Sequence, residues 1–151
     1  MSRQPLSSPR DEIVDTMIDL AHLAKSHRIV VAGNESIELY LALKRRGFDF
    51  GVLASACRTP CGQHAAGLIG GCNSYQAIEA AVVQISRFLN SAANIAISIE
   101  SRESGLVARV RVKLQQLGFR IEAGARCRES FVLAAHRHEF GQDFGVIQNV
   151  A

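Results

Sequence analysis

The sequence predicts an α/β domain in three layers, a mostly parallel sheet of about six strands with helices on both faces and a C-terminal antiparallel hairpin. Three observations carry this. Short, β-branched apolar runs alternate with longer segments of helical apolar period, the pattern of a parallel sheet covered on both sides. The links between them are short and marked by Gly and Asn. The last two strand-like runs have too few residues between them for a crossover helix, so they pair antiparallel. The chain has 151 residues, 48% of them hydrophobic and 21% charged, which is the size and composition of one globular domain.

The elements follow in order. Ser8, Pro9 and Asp11 make a helix start, with Asp11 placed for a capping box, and Ile13, Met17, Leu20 and Ala24 share one face. This predicts a helix over 9–25. The run RIVVA over 28–32 is a buried strand ending at Gly33 and Asn34. A helix over 35–46 follows, with Ile37, Tyr40 and Leu41 on one side. Lys44, Arg45 and Arg46 sit at its negative pole and Gly47 ends it. FGVLA over 50–54 is a second strand, completing a right-handed strand–helix–strand unit. Residues 55–66 read as irregular, and GLIGG over 67–71 as a short strand. Asn73 with Gln76 forms a capping box for a helix carrying Ile78, Ala81, Val82, Ile85, Phe88 and Leu89. Residues 94–99 form a strand, and Ser101 caps a helix with Leu106, Val110, Leu114 and Leu117 inward. A strand after Leu117 and another over 130–135 close the fold. The core thus spans about 28–137, with a tail over 138–151 whose Phe140, Phe144, Val146 and Ile147 predict docking on this domain or a second subunit.

This order resembles the class I S-adenosylmethionine-dependent methyltransferases, a Rossmann-like family. The stretch RIVVAG over 28–33 looks like that family's first strand and cofactor loop. FLNSAANIAISIE over 88–100 looks like the segment leading into its fifth strand, and LQQLGFRI over 114–121 like its helix, Gly-Phe and sixth strand. The terminal hairpin is the family's characteristic topological feature. The resemblance covers residues 10–137 and implies a sheet order of 2-1-4-5-7-6 in family terms, with the third strand missing and two helices on each face. The 50–54 strand then lies at a sheet edge without a charge on it, which predicts pairing with a second copy in a homodimer.

The resemblance implies a cofactor site of Gly33, Asn34, Glu35, Ser55, Gly71 and Asn73 at the strand ends, where open α/β sheets bind ligands. Two family signatures are degraded. One glycine, Gly33, stands where the family carries an acidic residue and two glycines, so fewer backbone amides can approach a ligand. Leu53, Ala54 and Ser55 stand where a carboxylate would bind ribose hydroxyls, and a serine cannot make that paired contact. Gly33 and Gly71 are also simply what tight turns before helices need.

The four cysteines are too few for a disulfide scaffold and read as free thiols. Cys57, Cys61, His64 and Cys72 are four soft donors close in sequence, but their spacing matches no standard zinc element and no metal is expected. The Cys57/Cys61 pair also reads as incidental, although Arg58 and His64 are cations or near-cations able to activate a thiol. His136 with His138 reads as a solvated strand end, and His22 and His27 as residues without a special role.

Composition excludes several classes. No apolar run reaches the length of a membrane helix, and the start lacks a signal-peptide core, which predicts a cytoplasmic protein. A net charge of +3 does not mark a nucleic-acid binder. The leading expectation is a methyltransferase-like domain that does not methylate, binding a small ligand in the crevice or acting through oligomerisation. The alternatives are an active methyltransferase with S-adenosylmethionine held by Gly33, Ser55 and Asn73, and an adaptor using a basic C-terminal face built from Arg109, Arg111, Lys113, Arg120, Arg126 and Arg128.

Overall fold

The computed structural model describes residues 9–58, 60–101, 103 and 105–137. The elements are α1 (Pro9–Leu20), β1 (Ile29–Ala32), α2 (Ser36–Arg45), β2 (Gly51–Leu53), a 3-10 turn (Ala54–Ala56), β3 (His64–Cys72), α3 (Tyr75–Ser86), β4 (Leu89–Ile99), α4 (Leu106–Gln116), β5 (Phe119–Cys127) and β6 (Ser130–Arg137). They form one six-stranded sheet in the order β2-β1-β3-β4-β6-β5. The first four strands are parallel, with β1 in register from Ile29 opposite Gly51 on one side and Ala66 on the other. β6 runs antiparallel to both β4 and β5. This is the predicted order with the third family strand absent.

The sheet divides the core in two. Strand side chains alternate between faces. Ile95, Ile97 and Ile99 of β4 pack with Ile78, Val82 and Ile85 of α3 and Val110 and Leu114 of α4. On the opposite face Ala66, Leu68 and Ala96 pack with Val14 and Met17 of α1 and Leu39 and Leu43 of α2. Each face thus carries two helices. Ile29, Val30 and Val31 are fully buried, which explains why the first strand reads as a continuous apolar run.

Several boundaries differ from the sequence reading. α1 stops at Leu20, not residue 25, because His22 adopts a left-handed φ of 55°. The Leu23 amide then donates to the Ile18 carbonyl at 3.1 Å, closing the helix end. β3 begins at His64, where residues 55–66 read as a loop, and β4 begins at Leu89. These two extensions pair with each other, His64 opposite Leu89, so each polar stretch is recruited by its neighbour. α3 is capped by Ser74, not Asn73: its hydroxyl accepts from the Ala77 amide at 3.2 Å. α4 starts from Gly105, while the Ser101 hydroxyl accepts from the Glu103 amide just upstream.

The two sheet edges differ. On β5, Arg120, Glu122 and Arg126 are exposed between half-buried residues, a charged edge that discourages pairing. β2 is three half-buried uncharged residues. The tail over 138–151, with His138, lies outside the described residues. Among the described residues no helix is long and apolar enough to cross a membrane.

Candidate functional site

All four parallel strands end at the same rim, and the β5–β6 turn, residues 128–129, lies at it too. The β1–α2 turn and the β3–α3 turn meet there. Gly33 has φ 102°, and a side chain on it would overlap the Gly70 carbonyl oxygen. Gly71 has φ 77°, and a side chain there would overlap the Cγ of Glu35. The Glu35 amide donates to the Gly70 carbonyl at 3.2 Å, and the Asn34 side-chain amide donates to the Gly71 carbonyl at 3.1 Å. Both glycines thus serve close approach of one turn to the other.

The structure therefore brings Gly33, Asn34, Glu35 and Gly71 together. Asn73 is exposed beyond them, and Ser55 is exposed in the turn after β2, with Ala54 buried beside it. Cys72 is 1% exposed. Burial pushes its thiol pKa up, against a lowering backbone hydrogen bond from Asn34, which keeps it protonated and unreactive.

A cavity of about 720 Å³ opens beside this junction, under α1. Its roof is Ile13, Val14 and Met17 of α1, and Leu39 of α2 closes one side. Its floor is the carboxyl end of the sheet, where Gly70 of β3, Ser98 of β4 and Ser130 of β6 are all small. Larger residues continue this face elsewhere, as Leu68 does on β3. The space exists because three neighbouring strands carry small residues under one helix.

Charge collects at its mouth. Glu35, Glu38, Glu100 and Glu129 line the cavity, against Arg10 and Arg128. Arg128 is taken by Glu12 outside the cavity, in a two-pronged pair at 2.9 and 3.0 Å that holds the Glu12 carboxyl below its ordinary range. Arg10 lies 3.4 Å from Glu35. Glu100 has its pKa raised, first by burial and next by the like charge of Glu35, with Arg10 opposing. The Ser98 side chain is 1% exposed, and its Oγ has no hydrogen-bond partner among the described residues. An unpartnered buried hydroxyl costs about 1–3 kcal/mol.

None of Arg10, Ser98, Glu100 or Glu129 stood out in the sequence. One signal was present: in the stretch IAISIE over 95–100, a serine interrupts a buried strand and a glutamate ends it. Position 100 continues the strand, its amide donating to the Cys72 carbonyl at 3.1 Å.

The soft-donor cluster does not converge. His64 and Cys72 stand at opposite ends of the nine-residue β3, on the order of 25 Å apart at the rise of a strand. Among the described residues no group of His, Cys, Asp or Glu is arranged to hold a metal. The His136 region is also not a solvated end. His136 Nδ1 lies 2.7 Å from Asn94 Oδ1. Arg137 caps the end of α3, donating to the Ser86 and Leu89 carbonyls at 3.0 Å, and stacks over Phe119. The C-terminal cations are split between layers: Arg109 lies over Tyr75 and Lys113 pairs with Glu79 on one face, while Arg128 pairs with α1 on the other.

Solved structures match this arrangement closely. A putative hemolysin from Lactococcus lactis aligns with TM-score 0.65 over 91% of both chains at 11% identity. The 1,6-didemethyltoxoflavin-N1-methyltransferase of Burkholderia thailandensis, solved with S-adenosylhomocysteine bound, gives 0.61 at 12% identity over 87% of this chain and 79% of that one. The precorrin-6y C5,15-methyltransferase of Geobacter metallireducens gives 0.61 at 12% identity over 90% and 93%. This chain has the class I methyltransferase-like Rossmann fold. At such identities the likeness is one of fold. No family model matches the methyltransferase-like chain, and no curated protein is similar to it in sequence.

Proposed function

We propose that this methyltransferase-fold domain binds a small molecule at the carboxyl ends of its strands and does not transfer methyl groups from S-adenosylmethionine. The observation that carries the reading is the closed junction at Gly33 and Gly71. The space that glycines would open for a nucleoside cofactor is filled by Gly70 and Glu35 of the chain itself. The Glu35 amide, at the start of α2, is committed to the Gly70 carbonyl. No carboxylate follows β2, where Ala54 is buried and Ser55 exposed, so paired contacts to ribose hydroxyls have no acceptor there. The donor's carboxylate would also approach Glu35. The residues present do not fit S-adenosylmethionine in the family's manner, and catalysis in this family rests on positioning that donor. The cavity under α1 remains a formed, ligand-sized site.

Calorimetric titration with S-adenosylmethionine and S-adenosylhomocysteine tests this. The expected result is no binding in the micromolar range; saturable micromolar binding overturns the reading.

A homodimer accompanies it. β2 is an uncharged edge strand, and Ile37, Leu41 and Phe50 around it are 58%, 47% and 57% exposed. Sedimentation across a concentration series should show self-association that Phe50→Asp weakens. A monomer at every concentration overturns this part.

A further inference from the structure

Resting on the reading of a non-methylating ligand-binding domain, we propose that the cavity under α1 takes a small primary amine with an apolar body, its ammonium seated against Glu100 and Ser98. Ser98 and Glu100 are two positions apart on one extended strand, so they share a face about 7 Å apart. An ammonium between them can donate to both. Ser98 lines the cavity floor but is 1% exposed, so its Oγ, without a hydrogen-bond partner among the described residues, is reached by a small shift of that floor. A ligand with N–H donors supplies what this hydroxyl lacks.

Charge points the same way. The chain carries a net +3, yet among the described residues four carboxylates and two guanidiniums line the cavity. Of the two arginines in the described lining, Arg128 is held by Glu12, and Arg10 faces both Glu35 and Glu100. Burial and crowding by Glu35 disfavour the charged form of Glu100, and a second cation offsets the crowding by Glu35. An anionic ligand would meet the opposite field.

The lining selects among cations. Among the described residues it contains no aromatic ring of the kind that cages quaternary ammonium groups. Ile13, Val14, Met17 and Leu39 offer aliphatic surface for a hydrocarbon body. A primary ammonium, with three donors for carboxylate and hydroxyl acceptors, matches this set.

The test uses the full chain and three probes of one shape: 3-phenylpropan-1-amine, 3-phenylpropan-1-ol and 3-phenylpropanoate. Thermal shift and calorimetry should show binding of the amine only. Glu100→Gln should weaken it by at least about tenfold, the scale of a lost charged hydrogen bond. Ser98→Ala should weaken it less, and Glu79→Gln, in the opposite layer, not at all. Binding of the alcohol or acid as tightly as the amine overturns the proposal. So does wild-type amine affinity in both Glu100→Gln and Ser98→Ala; if Glu100→Gln fails to fold, Ser98→Ala decides. Failure of amine binding with S-adenosylmethionine also silent overturns this inference alone. Binding of S-adenosylmethionine without the amine overturns both readings, and binding of both overturns only the non-methylating one.

Discussion

Removing the Ser98 hydroxyl should stabilise the free protein. The side chain is 1% exposed, and its Oγ has no partner among the described residues, so folding strips water from a hydroxyl without replacing the hydrogen bond. That desolvation costs about 1–3 kcal/mol in proteins. Ser98→Ala keeps the β-carbon and leaves β4 unchanged, so little packing is lost against the gain. The expected net is about 1 kcal/mol of added stability, at the low end of that range. Unfolding entropy of about 2.1 cal/mol/K per residue gives a chain of this length about 0.3 kcal/mol/K, so Tm should rise by about 3 °C. Calorimetry reads the Tm, and urea titration should show a higher midpoint at unchanged slope. Destabilisation of 0.5 kcal/mol or more, set on the same scale, would refute the reasoning, because it would mean that the hydroxyl is satisfied in the native state. Stabilisation here together with weaker amine binding is the pattern of a site kept at a cost to the fold.

Other outcomes follow from the same geometry. Gly33→Ala places a side chain at φ 102° against the Gly70 carbonyl and should cost more than about 2 kcal/mol in urea unfolding; a neutral effect would show that the two turns can separate. His64 is buried against Phe88, and burial lowers its pKa from the ordinary 6.5. The unfolded chain therefore binds the proton first, and stability present at neutral pH should fall as pH drops below about 6.5. His64→Leu should flatten that fall in a pH series of urea midpoints. Arg137→Ala removes two donations to Ser86 at the end of α3, one to Leu89 at the start of β4, and the stacking over Phe119. A loss of about 2–3 kcal/mol is expected by thermal denaturation.

Much of the fold was legible because its signals are local. The β-branched run over 29–31 and the period of Ile78, Val82 and Ile85 each encode an element without reference to the rest of the chain. The start of β3 was not, because His64 becomes strand only by pairing with Leu89. The turn glycines were legible as close-approach residues, but the partner they approach was not. Gly33 meets Gly70, and Gly71 meets Glu35, contacts that exist only once β1 and β3 lie side by side. The cavity was invisible for a related reason. Ser98 and Gly70 look like ordinary small residues until β3 and β4 align them under α1. Arg137 reads as a strand-end cation, and its burial depends on where α3 ends.

The roof of the cavity comes from α1, and its anchors lie far along the chain. Glu12 meets Arg128 across 116 positions, and Thr16 meets Cys127 across 111. Contacts of such span raise contact order, which slows folding. During synthesis α1 can meet α2, β3 and β4 first, but its anchors Cys127 and Arg128 arrive only with the last hairpin. Binding competence should therefore appear abruptly, only when nearly the whole chain is assembled. A ligand of this cavity would act on the final docking step, holding the first helix against the last strands.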